Sequence, residues 1–165
     1  MADSLRLSVL KALTAHVAGI NRLDGYNFDL KNAVFRGRNR FSENDPSTMV
    51  SILENPRPDY GNTVGDKTTR SEMWPLMMQG WCPDDPQNPS DNVYGLLDDV
   101  ERHLARIIAE DKFTGVPTFP AEYMLGNLIT ALEITPGAVR PPTDGISSRS
   151  FFYLPLRVGL AVDLA

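Results

Sequence analysis

The chain has 165 residues, of which 42% are hydrophobic and 22% charged, which is enough apolar mass to fill the core of one domain. Its formal net charge of -5 excludes a general basic surface of the kind that holds nucleic-acid phosphates regardless of sequence. The single cysteine, Cys82, excludes an intrachain disulfide, so we expect a cytoplasmic protein stabilised by packing or by association.

The apolar segments near the two ends of the chain are interrupted by charged residues. Arg6 and Lys11 break the leucines of the first segment, which therefore lacks the continuous apolar stretch of a secretory signal. Arg157 and Asp163 break the last segment, which is also shorter than the roughly 20 residues that span a bilayer. We therefore expect a soluble protein with no membrane partner.

The first predicted element is a helix over residues 4–18. Its apolar residues recur on one stripe, Asp3 or Ser4 supplies the N-cap, and Gly19 is placed to end it. One face of this helix is expected to pack against the rest of the domain.

Two short strands are predicted next, from Leu30 to Arg36 and from Thr48 to Glu54. A polar segment containing Pro46 lies between them and is typical of a turn, which favours a hairpin. From Asn55 to Arg70, prolines and glycines replace any periodic apolar pattern. This segment is longer than ordinary connections and is predicted to be a functional or mobile loop.

A third strand is predicted from Ser71 to Trp81, and it carries apolar residues on both of its faces. After a turn rich in proline and aspartate comes the clearest helix of the chain, because its apolar residues recur at helical spacing. They are Val93, Leu96, Leu97, Val100, Leu104, Ile107 and Ile108. The charged residues between them, including Asp98, Asp99 and Arg102, are predicted to form a solvated face.

The last third of the chain is predicted to return to strands. Leu125 to Ile134 is predicted as a strand, and Thr135 to Ser148 as a connection rich in proline and glycine. From Phe152 onward, apolar residues occupy every even position, which predicts a long terminal strand. Since proline is confined to edges, strand starts or bulges, Pro75 and Pro155 predict that their strands lie at sheet boundaries.

The predicted fold class follows from this order of elements. We expect one α+β domain over residues 1–165, with a mixed or antiparallel sheet and two main helices in the order α-β-β-β-α-β-β.

The common catalytic signatures all fail at a required residue. The sequence has no Walker-type phosphate loop, no His-Glu-x-x-His, no Cys-x-x-Cys and no nucleophile elbow. His16 and His103 have no partner in the sequence pattern and are predicted to be structural. Asp84, Asp85 and Asp91 suggest a calcium-type site, but turn and capping chemistry explains them better. We predict no catalytic residue, metal site or cofactor.

Arg36, Arg38 and Arg40 form the only concentrated positive charge of the chain. Two interpretations stay open. The arginines form a solvated loop, or their guanidinium groups bind phosphate or carboxylates, and the acidic balance of the chain favours a carboxylate of a neighbouring subunit or of another protein over DNA.

Several apolar residues have no evident place in one small core. They are Met73, Met77, Trp81, Phe151 and Tyr153, all on the second faces of predicted strands. A subunit contact would cover them, since methionine and aromatic residues are enriched at interfaces. A second helix layer on the same side of the sheet would cover them equally well.

The order of elements and four segments resemble the tail terminator proteins of long-tailed, siphovirus-like bacteriophages. The segments are NAVFRGR from Asn32, SILENPRP from Ser51, WPLMMQGW from Trp74 and RSFFYLPLRVGL from Arg149. This resemblance implies a structural virion protein, not an enzyme, that is assembled in the host cytoplasm and resides at the head–tail junction. It implies a homohexameric ring that caps the tail tube, ends its polymerisation and joins it to the head-side connector. The three arginines would then pair with a carboxylate of a neighbouring subunit or of the tube.

In such a ring, genomic DNA passes through the lumen without specific binding. The long loop is our candidate lumen or tube contact, with Asp59, Asp66, Lys67 and Arg70 giving it a nearly neutral balance. Two alternatives remain open: another neck or tail component, such as a head completion or tail-tube protein, and a metal-assisted hydrolase using the three aspartates.

Overall fold

The computed structural model describes residues 2–54 and 64–165 of the chain. The helices are α1 (Leu5–Ala18), α2 (Asp91–Ala105) and the short α3 (Met124–Asn127). The strands are β1 (Val34–Arg36), β2 (Met49–Glu54), β3 (Val64–Asp66), β4 (Thr69–Trp81), β5 (Ala131–Ile134), β6 (Ala138–Arg140) and β7 (Phe151–Asp163). The predicted α+β class is confirmed.

Among the described residues, one mixed sheet of seven strands organises the fold. Its order is β1-β2-β4-β7-β5, with β3 beside β4 and β6 beside β7. The two longest strands, β4 and β7, pair antiparallel along their whole length, from Thr69 opposite Asp163 to Trp81 opposite Phe151. This central ladder fixes which side chains share a face.

The two long helices pack on one face of the sheet. Ser4 is the N-cap of α1, and its Oγ accepts a hydrogen bond from the Leu7 amide at 3.3 Å. Six of the seven residues in the predicted apolar stripe of α2 are buried, and Ile108 is half-buried. The even positions of β7 from Phe152 to Leu160 are buried as well, as the alternation predicts. Both sets belong to one hydrophobic core that includes Val9, Leu13 and Val17 of α1. No helix in the described parts of the chain is long and apolar enough to cross a membrane.

The predicted hairpin between the first two strands is wrong. β1 and β2 pair in parallel, with Val34 opposite Val50. Residues 37–48 carry the chain back to the start of β2, and parallel neighbours require such a crossover of about a dozen residues. The first strand is also shorter than predicted, because Asn32 has a positive φ of 59° that interrupts extended backbone.

The predicted loop from Asn55 to Arg70 is wrong in its second part. Residues 55–63 lie outside the described residues, and so does Asp59. Beyond them, β3 pairs antiparallel with the start of β4, with Asp66 opposite Thr69. Lys67 turns this hairpin with a φ of 52°.

The two prolines lie in the central strands rather than at the sheet boundary, contrary to expectation. Pro155 falls between the stretch of β7 paired with β6, which ends at Tyr153, and the stretch paired with β5, which begins at Leu156. Pro75 lies opposite Arg157 of β7 and directly precedes Leu76, which pairs with Glu54 of β2. Pro155 thus occupies a gap between two neighbouring ladders, where its missing N–H is not required.

Between α2 and β7, the predicted strand and connection are both partly wrong. Only Ala131–Ile134 of the predicted strand is extended. The preceding residues turn, because Leu125 and Gly126 have φ values of 53° and 69°. The connection from Thr135 to Ser148 contains a short strand, β6.

Candidate assembly surface and histidine cluster

The sheet face opposite the two long helices carries the candidate interface residues. Leu53, Met77 and Pro155 lie side by side across three strands, and the half-buried Met73 lies further along β4. Tyr153 is half-buried on the same side. We call this surface, defined by Leu53, Met73, Met77, Tyr153 and Pro155, the open face. These five residues are partly accessible and largely apolar, and Gln79 and Arg157 lie on the same side of the sheet.

Two of the predicted interface residues are already covered within the subunit. Trp81 and Phe151 keep only 2% and 5% of their surface exposed. With Met49 they form a second small core, against which Phe35, Phe41 and Tyr153 pack. The premise that these two residues lack a place in the fold was therefore wrong. This cluster could not be predicted from the sequence, because its members lie on separate strands and on the crossover between β1 and β2.

The three arginines lie at the end of β1 and in that crossover, and their surroundings differ. Arg36 donates to the Oγ1 of Thr14 on α1 at 3.0 Å. Arg38 forms an ion pair with Asp45 and stacks on Phe35, with 3.7 Å from its guanidinium carbon to the ring centre. Arg40 is exposed and lines a cleft formed with Phe41 and residues 143–148.

Asp45 fixes the crossover by capping its turn. Its carboxylate accepts from the backbone amide of Ser42 at 2.9 Å and from the hydroxyl of the same serine at 3.0 Å. The Ser42 amide is the main cause that lowers the pKa of Asp45, and Arg38 adds to it. The carboxylate is therefore charged at neutral pH and holds Arg38 close to the second core.

The hairpin residues predicted to face a lumen or tube lie at one end of the sheet. Asp66 and Lys67 are exposed, whereas Arg70 is half-buried. Arg70 Nε lies 3.0 Å from the carboxylate of Glu72, which Arg6 also contacts at 2.9 Å. Arg6 and Arg70 thus flank the buried Glu72 side chain, and their charges offset the cost of burying an acidic group.

The alternative metal interpretation of Asp84, Asp85 and Asp91 finds no support among the described residues. Asp85 accepts from the amides of Gln87 and Asn88, and Asp84 accepts from the amide of Ser150 at 2.8 Å. These are turn and bridging contacts. In the part of the chain that the structure describes, one group of three potential metal ligands is found, and it consists of His16, His103 and Glu122.

His16 and His103 are separated by 87 positions in sequence, yet their rings stack between α1 and α2. The ring centres are 4.2 Å apart. Burial is the main cause that lowers the pKa of both imidazoles, to about 4 for His103. Both rings are therefore neutral at pH 7. No sequence pattern pairs the two histidines, because only helix packing brings them together.

A second buried polar group could not be recognised from the sequence pattern. Asp99, which was predicted to be solvated, is completely buried. Its carboxylate accepts from the amides of Asn27 and Phe28 and from the side-chain amide of Asn27, at 2.9 to 3.1 Å. Burial raises the pKa of Asp99, while these donors act in the opposite direction. Asp99 therefore ties α2 to the segment that follows α1.

The thiol of Cys82 is buried, and this burial, together with the nearby Asp84, raises its pKa to about 12. It is therefore protonated at neutral pH and unreactive as a nucleophile.

No protein-family model matches the chain, and no curated protein matches it. The fold defines an α+β protein with one mixed sheet, helices on one face and a largely apolar open face on the other.

Proposed function

We propose that the protein is a ring-forming structural subunit, the tail terminator of a long-tailed bacteriophage. The observation that carries this proposal is the open face, where half-buried methionines and a tyrosine lie on a rigid central ladder. Methionine and aromatic residues are enriched at subunit interfaces, where they fill the buried centre of the contact.

The chain is proposed to associate head-to-tail, because heterologous contacts between identical subunits generate rings when the rotation closes. One ring, a hexamer by the resemblance described above, would cap the tail tube protein at the head–tail junction of the virion. Its other side would meet the head-side connector. Assembly would take place in the host cytoplasm.

The hairpin formed by β3 and β4 is the candidate lumen or tube contact. Its turn carries Asp66 and Lys67, whose charges cancel, and Arg70 is compensated by Glu72. A nearly neutral wall gains little from counterion release, so genomic DNA would pass without being held.

Placing a charge on the open face is expected to abolish ring formation. In Met77→Glu the carboxylate would lie between Leu53 and Pro155, where a partner subunit would have to bury it unpaired. We expect rings to be lost, with subunit association weakened by at least about tenfold. Light scattering and electron microscopy, on the isolated protein and with tail-tube ends present, measure this.

Leu23→Glu is the matched control, because Leu23 is 98% exposed in the turn after α1 and lies outside the open face. It should form rings like the parent. A parent that stays monomeric even on tube ends contradicts the proposal, and loss of rings in Leu23→Glu alone moves the interface elsewhere. Rings that leave tube length unchanged indicate another neck component, and growth of the protein into tubes indicates a tube subunit.

Arg40 is the arginine with the strongest claim to a contact outside the subunit, since Arg36 and Arg38 are held by Thr14, Phe35 and Asp45. Alanine at all three arginines is expected to weaken assembly. We expect Arg40→Ala to weaken it with unchanged thermal stability, because an exposed guanidinium is used against a partner carboxylate.

Arg38→Ala, by contrast, should lower the free energy of unfolding by about 1 kcal/mol, through the lost stack on Phe35 and the lost ion pair. The measurements are urea unfolding and ring yield at moderate salt. If Arg40→Ala and the triple variant both assemble like the parent, the arginines serve only the crossover.

A further inference from the structure

The stacked histidines hold each other through reciprocal hydrogen bonds. His16 Nε2 lies 2.7 Å from the backbone carbonyl of His103, and His103 Nε2 lies 2.8 Å from that of His16. A carbonyl only accepts, so each Nε2 carries the hydrogen. In a neutral imidazole this leaves the lone pair on Nδ1. Both rings therefore have a fixed tautomer with a basic Nδ1.

Glu122 divides its two oxygens between different neighbours. Oε2 accepts from Arg106 Nε at 2.9 Å and lies 2.7 Å from Nη2 of the same arginine. Oε1 lies 3.7 Å from His16 Nδ1. Two electron-pair donors thus face each other without a hydrogen between them, an arrangement that attracts a cation.

His103 completes the group. One nitrogen or oxygen from each of His16, His103 and Glu122 lies within 4.8 Å of the others. The Nδ1 of His103 currently accepts a hydrogen bond from the hydroxyl of Tyr26 at 3.0 Å.

We propose that His16, His103 and Glu122 form a binding site for a divalent transition-metal ion, with Zn²⁺ the best match. Two imidazoles and one carboxylate are a ligand set that zinc accepts, with water in a fourth position. The three ligands come from α1, α2 and the turn before α3, so a bound ion would crosslink these elements. This site is independent of the proposed ring function.

The surroundings supply the outer contacts that a metal site requires. Metal-binding histidines usually donate their other N–H to a carbonyl or carboxylate, and both rings do so here. Carboxylates that bind a metal usually accept a further hydrogen bond, and Glu122 accepts one from Arg106. The cluster opens into a cleft lined by small residues, Ala12, Ala15, Gly19 and Ala121, which leave room for solvent ligands.

Binding requires a rearrangement, above all of His103, because its imidazole plane is only 26° from that of His16 and the two Nδ1 lone pairs therefore lie in nearly parallel planes. Ligand atoms around tetrahedral zinc are about 3.3 Å apart, so His16 and Glu122 must approach by a few tenths of an ångström. His103 must move further and release the Tyr26 hydroxyl. The charge of Arg106 opposes the cation, so we expect an affinity below that of structural zinc sites with thiolate ligands.

The test is titration of the chelator-treated, full-length protein with zinc chloride, followed by calorimetry and thermal unfolding. We expect one ion per chain and a rise in Tm with zinc concentration, because a ligand that binds only the folded state stabilises it. Magnesium chloride should give neither effect, since Mg²⁺ prefers an all-oxygen shell. The chain has only two histidines and one cysteine, and the cysteine is buried, which limits competing sites.

His16→Gln is the decisive variant, because the glutamine amide can still donate to the His103 carbonyl but offers no Nδ1. Glu122→Gln is a second variant that keeps an acceptor for Arg106. Because Glu122 is half-buried, this variant still tests the site if His16→Gln does not fold. We expect zinc affinity to fall at least about tenfold in each, and Asp85→Asn, outside the cluster, to bind like the parent. Absence of zinc binding by the folded parent, or equal Tm shifts in the parent and in a folded variant, would overturn the proposal.

Discussion

Asp99→Ala is expected to lower the free energy of unfolding by about 3 kcal/mol. The substitution leaves two backbone amides and one side-chain amide facing a buried cavity, and each buried donor without a partner costs about 1 kcal/mol or more. The segment around Asn27 and Phe28 would also lose its attachment to α2. Urea unfolding followed by circular dichroism, at a concentration where the protein does not associate, measures the change.

Asp98→Ala is the matched control on the same helix. Asp98 is largely exposed and makes an i,i+4 pair with Arg102 at 3.6 Å. Such a pair contributes no more than about 0.5 kcal/mol. Equal effects of the two substitutions would show that the Asp99 contacts do not stabilise the fold.

Gly80→Ala is expected to destabilise the protein by about 3 kcal/mol or to prevent folding. Gly80 lies opposite Phe152 in the central ladder, and an added Cβ would come within 2.1 Å of a carbon of the phenyl ring. Phe152 is completely buried and has no free space to retreat into. The same denaturation measurement, with soluble yield as a second readout, tests this.

Gly95→Ala provides the opposite expectation at a second glycine. Its added Cβ would meet the Asn27 side chain at 3.5 Å, an ordinary contact, and the residue lies within α2. Replacing a helical glycine should raise stability by roughly 0.5 to 1 kcal/mol. The double variant Gly80→Ala, Phe152→Leu should recover part of the loss through removal of the clashing ring atoms. If Gly80→Ala is as stable as the parent, the ring does not occupy the position described.

The elements that sequence analysis located correctly are those whose periodicity is local and long. α2 repeats its apolar residues over four turns, and β7 alternates over most of its length, so burial of one face identified both. The errors concern pairing. β1 and β2 were expected to be a hairpin because a turn lay between them, but strand direction depends on where the crossover packs, and Phe41 packs it on the second core.

The same rule holds for the candidate interface residues: positions set by local alternation were predictable, and contacts between distant residues were not. The alternation in β4 placed Met73 and Met77 on the face away from Trp74, and the structure shows them there, half-buried. The burial of Trp81 and Phe151 was not predictable, because it requires Phe35 and Phe41 from distant positions.

The sequence by itself determined the fold class, the two main helices and the parity of the long strands, because hydrophobic periodicity acts within one element and is legible without its neighbours. Only the tertiary structure decided the parallel pair, the second core, the burial of Asp99 and the meeting of His16 with His103 and Glu122. Those features depend on contacts between residues far apart in the chain. A buried carboxylate or imidazole is stabilised only by partners that packing supplies, and no local pattern identifies those partners.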